Sequence, residues 1–565
     1  MPTEDDPLKR IEALQRKVAH LEQQLADSRA AVQRTSVQQA LLDERLLTLE
    51  RNRLFRLWGE VYRTAASVYA LLGAGKRLGG LSDLRQPGDY ARWVNREQHA
   101  MAAEDHHAIA AGWRRQPLIS VWLNGSAGAR DSFRSVLDQC YAKWELCLPG
   151  ALEEEFADAP ADSRIRFMES DDPSLVTGEY LLVLQAGDRL SPHALHFYAQ
   201  ALQGDLPDMV YADEDHLDSD GNRWNPLFKP GWSPELVLST LYFGRAALYR
   251  GTGLSLDDPK VLVRHIPRVL YHRADAEPLR SGKPQYTAPP DAHISVIICS
   301  RKVQQVRECL EAIRKTSSVS LDLLVVHHLE FGDGWEMRQC VEQFQGIWLP
   351  YRGAFDFARM NNLAAAQAAS PYLLFLNDDV IVQQRGWDQA MAATLARPQV
   401  GIAGAILEYP NGTLQHAGVV TGMGDAAGHC GRFQLSSDLW PWLRNTRDVS
   451  AVTGAMLGIR RELFHEMKGF DEAFPVNYND VDLCLRIRQA GLRVLCLNLG
   501  RVIHRESQTR VGGTRHEERE ALYKRWAGVL ARPDEFYSMH LAPSERIALT
   551  TGHPPLQDLL PQSLD

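Results

Sequence analysis

An apolar strand that ends in two carboxylates constrains the fold more than any other part of the chain. Residues 372–376 form a continuous apolar run of strand length, and Asn377, Asp378 and Asp379 follow at once. Such a run indicates a strand buried on both faces of a parallel sheet. Ligands of open α/β sheets bind just beyond the carboxyl ends of strands, where adjacent carboxylates repel each other unless a cation lies between them and the ligand. The tripeptide therefore fits a divalent cation that bridges to phosphates. It fits equally a turn built on Asn and Asp side chains.

The order of elements around this strand occurs twice in the chain. In the second copy a strand at residues 293–299 is followed by a helix, a strand at 321–326, a spacer and the strand that ends at Asn377. The first copy has its corresponding strands at residues 117–123, 144–148 and 180–184, and Asp188 is the one carboxylate that follows the last of them. Strands that alternate with helices predict a parallel α/β sheet. The repeat predicts two tandem copies of one fold.

Composition narrows the class of protein. The chain has 565 residues, enough for about three or four domains. Its net charge of −9 argues against a nucleic-acid partner, and its 8 cysteines form no CxxC pair, which fits a reducing compartment. The first residues show no signal-peptide pattern, and no apolar run reaches the roughly 20 residues that span a bilayer. We expect a cytoplasmic protein, with a peripheral position at the inner membrane left open.

The N-terminal part of the chain is predicted to be helical. Residues 8–50 place apolar side chains near the a and d positions of a heptad repeat. This pattern predicts a short coiled coil and a homo-oligomer, with a lone surface helix as the alternative. Residues 51–80 mix Arg and Lys with Leu, Trp, Tyr and Phe. A basic amphipathic helix of this kind fits a peripheral membrane contact, and it also fits a helix docked on the next domain.

A series of short motifs in the second copy gives the chain its resemblance to a known family. The motifs, spread over residues 293–510, are Ser295-Val296-Ile297-Ile298, Asn361-Asn362-Leu363-Ala364, Leu376-Asn377-Asp378-Asp379-Val380, Gln415-His416-Ala417-Gly418, Val452-Thr453-Gly454-Ala455, Gly469-Phe470-Asp471-Glu472, Asn479-Asp480-Val481-Asp482-Leu483-Cys484-Leu485-Arg486 and His504-Arg505-Glu506-Ser507. In their order and spacing the chain resembles the family-two glycosyltransferases, which have the GT-A nucleotide-sugar fold. Within that family it is most similar to the bacterial polysaccharide and rhamnosyltransferase-like branch.

The resemblance implies a fold and a domain organisation. The expected fold class is α/β, with two tandem GT-A (Rossmann-like) domains, the first degenerate, preceded by an N-terminal coiled-coil helix. The expected segments are a coiled-coil helix (1–55), a helical connector (56–115), a degenerate GT-A domain (116–275), a catalytic GT-A domain (291–535) and a C-terminal tail (536–565).

The resemblance also implies an activity. The expected enzyme is an inverting, metal-dependent glycosyltransferase of the hexosyltransferase type. It would move a sugar, such as rhamnose from a dTDP donor, from a nucleotide-diphosphate donor to a glycan or lipid-linked glycan in a growing surface polysaccharide such as O-antigen. Asp379 and His504 match the positions that bind Mg²⁺ or Mn²⁺, and Asp480 matches the general base. Asp480 also fits an N-cap of the helix that follows it.

Further positions carry over from the family one by one. The nucleotide-sugar contacts are expected at Ser300, Arg301, Asn362, Asn377 and Asp378. The acceptor contacts are expected at Thr453, Gly454 and Asn479. Asp482 is expected to cap the helix or to form a salt bridge rather than to act in catalysis.

Two departures from the family pattern leave a different class of function open. His327 stands where relatives carry an Asp that contacts the nucleotide. The first copy lacks that aspartate as well, and its base-carrying segment is missing between residues 250 and 261. We therefore interpret the first copy as a pseudo-transferase. The alternative for the whole chain is an inactive scaffold that binds glycan or a partner transferase. A dehydrogenase or methyltransferase is disfavoured, because no glycine-rich loop follows either first strand.

Two pairs of residues have both a functional and an ordinary interpretation. His416 and His429 are candidates for acceptor contact, and buried structural histidines are the alternative. Trp440 and Trp442 are candidates for stacking on a sugar ring, and packing within a loop is the alternative.

Overall fold

A computed structural model describes residues 87–102, 104–159, 161–252, 254–256, 260–275, 284–330, 332–424, 426–435, 440–505 and 515–544. The predicted coiled coil and the basic segment lie outside these residues. No helix within the described ranges is long and apolar enough to cross a bilayer.

Two helices, α1 (Pro87–Ala102) and α2 (His106–Ala111), lead into the first domain. Helix α1 packs on that domain through buried contacts. The Tyr90 hydroxyl donates to Asp215 Oδ2 at 2.6 Å, and Arg268 Nη1 lies 2.8 Å from Glu97 Oε1.

The first domain is built on one sheet. Its strands are β1 (Ile119–Asn124), β2 (Trp144–Pro149), β3 (Ile165–Met168), β4 (Tyr180–Gln185), β5 (Arg189–Leu190), β6 (Met209–Leu217), β7 (Arg223–Leu227), β8 (Ala247–Arg250) and β9 (Val263–Arg273). The strand order is β3-β2-β1-β4-β8-β6-β9-β5, with β7 paired to β6. Its helices are α3 (Ala129–Leu137), α4 (Ala194–Ala201) and α5 (Pro234–Val237).

The second domain contains the remaining elements. Its main sheet has the strands β10 (His293–Ser300), β11 (Ser320–His328), β12 (Ile347–Tyr351), β13 (Tyr372–Asn377), β15 (Val400–Ala405), β20 (Arg447–Asp448), β21 (Met456–Arg460) and β22 (Arg493–Leu497). Smaller sheets use β14 (Val380–Val382), β16 (Leu407–Glu408), β17 (Leu414–His416), β18 (Val419–Thr421), β19 (Ala427–His429) and β23 (Val502–His504). The helices are α6 (Val303–Thr316), α7 (Trp335–Gln343), α8 (Phe357–Ala365), α9 (Trp387–Leu395), α10 (Arg461–Glu466), α11 (Asn479–Gln489) and α12 (His516–Leu530).

The two main sheets have matching topologies. The second runs β12-β11-β10-β13-β21-β15-β22-β20. In each sheet the first four strands of this order are parallel to one another. An antiparallel strand (β8 or β21) comes next, and a parallel pair (β6–β9 or β15–β22) follows it. The predicted fold class of two tandem α/β domains is confirmed.

A buried serine and an acidic side chain repeat at matching positions of both sheets. Ser120 pairs in register with Glu145 and its hydroxyl donates to that carboxylate at 2.5 Å. Ser295 pairs in register with Asp322, which accepts a hydrogen bond of 2.7 Å from the Ser370 hydroxyl. Burial opposes ionisation of Glu145, but the hydrogen bonds from Ser120, Arg166 and Thr177 lower its pKa to about 2.

The two domains differ most between their last strands. In the second domain α10 and α11 lie between β21 and β22. In the first domain β8 and β9 are separated by a short connection, and no helix occurs in its described residues 251, 252, 254–256 and 260–262. The described part of this connection therefore holds no counterpart of α11, the helix that carries Asp480 in the second domain.

The two domains share one hydrophobic core. A buried ion cluster adds to this contact: Glu235 of the first domain lies 2.7 Å from Arg397 and 3.7 Å from Arg493 of the second. The Ser233 hydroxyl also donates to Asp448 Oδ2 at 2.6 Å. Trp440 donates to the Pro226 carbonyl at 3.2 Å and stacks on Trp442, so these two tryptophans pack within the protein.

Candidate active site

Parallel strands bring the predicted nucleotide-site residues to one edge of the second sheet. Strands β10, β11 and β13 end there at Ser300, His328 and Asn377. Ser300 pairs in register with His327, and Cys299 pairs with Asn377. Since adjacent strands lie about 4.8 Å apart, these ends lie side by side.

Asp378 is the partly buried carboxyl group of this edge, beside the buried Asp379. The Ser300 hydroxyl donates to Asp378 Oδ2. Burial raises the pKa of Asp378, the hydrogen bond from Ser300 lowers it and the charge of Asp379 raises it, and together they bring it to about 6. Asp378 therefore keeps its proton in mildly acidic solution.

Asp379 and His504 come together through a short antiparallel strand pair. Val380 on β14 pairs in register with His504 on β23. Asp379 Oδ1 lies 3.1 Å from His504 Nε2, and Asn377 Nδ2 lies 3.3 Å from the same nitrogen. The other ring nitrogen, Nδ1, lies 2.7 Å from Gln415 Oε1.

Asp480 lies in the first turn of α11 and is bound to the backbone on two sides. Gly454 N–H donates to Asp480 Oδ2 at 2.6 Å, and Val481 N–H donates to Oδ1 at 2.8 Å. The residue after Gly454 bridges to the acidic strand end, because Asn377 N–H donates to the Ala455 carbonyl at 2.9 Å.

The C-terminal helix α12 supports the start of α11. Glu518, which is buried, accepts hydrogen bonds from Val476 N–H at 2.7 Å and Asn477 N–H at 3.0 Å. Asp482 forms ion pairs with Arg486 and Arg525, both at 2.8 Å. This agrees with the prediction that Asp482 is salt-bridged.

The other predicted nucleotide contacts have partners of several kinds. Arg301 is exposed and forms an ion pair with Glu330, just beyond β11. Both ends of the Asn362 amide bind the backbone of Phe470, at 2.8 and 2.9 Å. Its predicted nucleotide contact stays a prediction, although this amide already has a structural role.

His327 is nearly buried and accepts a hydrogen bond from Trp348 Nε1 at 3.3 Å. Burial lowers the pKa of His327, and the neighbouring His328 lowers it further. His328 donates instead to the Gly353 carbonyl, at 2.9 Å. The two imidazoles therefore serve different contacts.

The predicted acceptor side of the site has a buried histidine pair behind it. His416 Nδ1 and His429 Nδ1 are 2.8 Å apart, and Thr453 N–H points to His416 Nε2 at 3.4 Å. Burial lowers the pKa of His416 well below its usual range. Asn479 is buried and donates to the Phe474 carbonyl at 3.1 Å. His416 and Asn479 are thus used structurally in this conformation.

The first domain has Asp188 and His272 at the positions that Asp379 and His504 occupy in the second domain, but their hydrogen-bond partners differ. Arg189, which follows Asp188, pairs in register with His272, just as Val380 pairs with His504. Asp188 is buried and accepts hydrogen bonds of 2.8 Å each from Arg245 Nη1, the Tyr271 hydroxyl and Ala274 N–H. His272 Nδ1 lies instead 2.6 Å from Asp215 Oδ1.

A divalent cation fits the second domain better than the first. Within the residues that the structure describes, no three His, Cys, Asp or Glu side chains form a metal-binding group. Asp379 and His504 provide two ligands, as expected for Mg²⁺ or Mn²⁺ that is also bound by substrate phosphates. In the first domain the Arg245 guanidinium already neutralises Asp188.

Three residues of this region were missed from the sequence. Gln415 lies within a quoted motif, but its partner His504 is 89 residues away. Glu518 contacts a loop 41 residues away. Glu330, the partner of Arg301, could have been suspected from the sequence, because it is the first carboxylate after β11.

The second domain combines a parallel α/β sheet, an acidic strand end and an aspartate on a following helix. The family model described as "Glycosyltransferase like family 2" matches residues 289–528. The C-terminal domain therefore belongs to the family-two glycosyltransferases, as its motifs predicted.

The two curated relatives with the matches given below are longer than this chain. The O-antigen biosynthesis protein RfbC of Myxococcus xanthus is 30% identical over 586 residues, which cover 86% of this chain and 45% of that protein. The uncharacterized protein y4gI of Sinorhizobium fredii (strain NBRC 101917 / NGR234) is 29% identical over 539 residues, which cover 76% and 59%. The chain thus spans about half the length of these relatives. A solved structure of GalNAc-T7 with UDP, GalNAc and Mn²⁺ has a TM-score of 0.32 and 13% identity, over 42% of this chain and 45% of that one.

Proposed function

We propose that the second domain is an inverting, metal-dependent glycosyltransferase acting on a nucleotide-diphosphate sugar. One observation carries the proposal: the acidic strand end and Asp480 are joined through the two residues Gly454 and Ala455. Asn377 N–H donates to the Ala455 carbonyl at 2.9 Å, and Gly454 N–H donates to Asp480 at 2.6 Å. This link holds the donor side and the base in a fixed relation.

In this mechanism Asp379, His504 and Asp480 each have a defined role. Asp379 and His504 would hold Mg²⁺ or Mn²⁺, which supplies Lewis-acid stabilisation to a diphosphate leaving group. Asp480 accepts the proton of the acceptor hydroxyl while its oxygen attacks the anomeric carbon. The bond from that carbon to the diphosphate breaks on the opposite face and leaves its electron pair on the phosphate oxygen, so the configuration inverts.

The acceptor is proposed to be a glycan or lipid-linked glycan of a bacterial surface polysaccharide. Support comes from the similarity to a protein of O-antigen biosynthesis, 30% identical over 86% of this chain. Rhamnose from a dTDP donor is the sugar that the motif resemblance favours. A cytoplasmic location, a peripheral membrane contact and a homo-oligomer through the N-terminal coiled coil complete the proposal.

Calorimetric binding of UDP, dTDP and GDP, with and without Mn²⁺, tests the donor site. We expect one nucleotide to bind in the presence of Mn²⁺ and to lose at least about 10-fold in affinity in Asp379→Ala. Absence of binding to the folded wild type would overturn the proposal. It would favour the alternative, an inactive scaffold that binds glycan or a partner transferase, a function that His327 already suggests.

Turnover of the identified donor tests the base. We expect Asp480→Asn to lower the transfer rate by at least about 100-fold, because the amide cannot accept the hydroxyl proton. Binding of the nucleotide with Mn²⁺ should stay unchanged, which separates this effect from damage to the donor site. A variant with wild-type turnover would exclude Asp480 as the base.

A further inference from the structure

The imidazole of His504 is held from both sides. Its Nδ1 lies 2.7 Å from Gln415 Oε1, and its Nε2 lies 3.1 Å from Asp379 Oδ1. A neutral imidazole carries one proton, so the hydrogen bond at one nitrogen decides what the other nitrogen presents. The hydrogen bond between Gln415 and Nδ1 therefore bears on whether Nε2, the nitrogen beside Asp379, carries the proton.

Backbone pairing fixes both members of this contact. Gln415 is buried on β17, which pairs with β16, and β16 pairs in turn with β23, the strand of His504. The two side chains thus project from one small sheet. This arrangement leaves the Gln415 amide oxygen little freedom to leave the ring.

We propose that Gln415 is a positioning residue of the donor site: its carbonyl oxygen accepts the Nδ1 proton of His504 and leaves the Nε2 lone pair beside Asp379 for a divalent cation. Histidines that bind metals usually donate their second ring N–H to such an acceptor. The inference rests on the proposed function of this site.

The opposite direction of the same hydrogen bond has the opposite consequence. If the Gln415 amide nitrogen donated to Nδ1, the ring proton would lie on Nε2 and point at Asp379. His504 would then bind Asp379 directly and offer no lone pair to a cation. The acceptor character of residue 415 is therefore the property to test, apart from its size.

Two variants separate acceptor character from packing. Gln415→Glu keeps an oxygen acceptor, whereas Gln415→Met keeps the volume and removes the hydrogen bond. We measure calorimetric binding of the nucleoside diphosphate selected from UDP, dTDP and GDP, with Mn²⁺. The expected loss of affinity is about 10- to 100-fold in the Met variant and within about 3-fold in the Glu variant. If Gln415 were needed only for packing, Gln415→Glu would lose more affinity than Gln415→Met, because Met fills an apolar space and a buried carboxylate does not.

A double-mutant cycle shows whether Gln415 acts through His504. In a His504→Ala background, Gln415→Met should cause no further loss of Mn²⁺-supported binding. If the Met variant does not fold, Gln415→Leu replaces it. If the wild type binds the nucleotide, an unchanged affinity in Gln415→Met would overturn the proposed role of Gln415. An equal loss of affinity in Gln415→Glu would overturn it as well. Neither outcome would overturn the proposed function of the site. Failure of the wild type to bind any of the three nucleotides would overturn the proposed function, and this inference with it.

Discussion

Asp378 carries a carboxyl group whose ionisation works against folding. Burial raises its pKa from 3.8 to about 6, so the folded chain binds this proton more tightly than the unfolded chain does. The contribution of Asp378 to stability is therefore most favourable below pH 4 and falls as the pH rises toward 6.

Replacing this group by an amide should remove the pH dependence. Asp378→Asn keeps an oxygen that accepts from Ser300 and cannot ionise. We expect it to be more stable than wild type by up to about 3 kcal/mol at pH 7, with most of the difference gone at pH 4. Urea unfolding at both pH values measures this. The exposed Glu336→Gln serves as the control, and a difference that does not change with pH would contradict the assignment.

Sequence patterns located residues whose position follows from the sheet itself. Ser300, Asn377 and Asp379 follow apolar runs, and parallel strands necessarily end at one edge. Gln415 and Glu518 could not be found in this way. Their partners are distant in sequence, and no spacing pattern in a sequence identifies the partner of a buried amide or carboxylate.

Helix α12 shows how one element can determine the position of another. Glu518 accepts the Val476 and Asn477 N–H groups at 2.7 and 3.0 Å, directly before α11 begins. Tyr478, the residue before α11, has a left-handed backbone with φ of 62°. This strained turn depends on its neighbours to hold it, and it sets the direction of Asp480.

Loss of this support should slow transfer without weakening donor binding. Glu518→Ala leaves the two N–H groups without their acceptor, which costs about 1–3 kcal/mol of stability. We expect the transfer rate to fall by about 10-fold, since a misplaced base loses alignment, while nucleotide binding with Mn²⁺ stays unchanged. The neighbouring exposed Glu517→Ala is the matched control. Equal turnover in both variants would argue against the role of α12.

The sequence predicted strands where the apolar runs are clear. It did not predict which buried charged residues pair with each other. The strands that begin each copy and the strands that end in acidic residues were recognised from their apolar runs. The acidic cluster Asp213-Glu214-Asp215 directly follows the apolar run 209–212 in the sequence. In the structure it lies inside β6, because Lys229 and Arg223 pair with Glu214 and Asp215 at 3.1 and 2.6 Å. Nothing in the sequence indicates these cross-strand partners.

At the scale of the molecule, the two domains behave as one structural unit. They share a core, and Glu235 faces Arg397 and Arg493 across the boundary. Removing one partner of a buried ion pair leaves charges without compensation, which is costly.

Glu235→Gln should destabilise both domains together. We expect a loss of about 2–3 kcal/mol, discounted because the two arginines are partly exposed. Calorimetry should show one unfolding transition that shifts as a whole. The exposed ion pair of Arg338 and Glu342 supplies the control, since Arg338→Gln should change stability by less than about 0.5 kcal/mol. Two separate transitions, with only one shifted, would show that the domains unfold independently.

The ion pair of Asp188 and Arg245 has a consequence for any attempt to build a cation site into the first domain. The guanidinium balances a carboxylate whose place in the sheet matches that of Asp379. Replacing Arg245 alone would leave the buried carboxylate of Asp188 without its cation, which is costly. Loss of Asp188 alone would leave Arg245 paired with Asp275 at 2.5 Å. A cation site there would require several changes at once, because removing the arginine alone costs stability before any metal is bound. The charge balance of Asp188 therefore disfavours a cation at this position of the first domain.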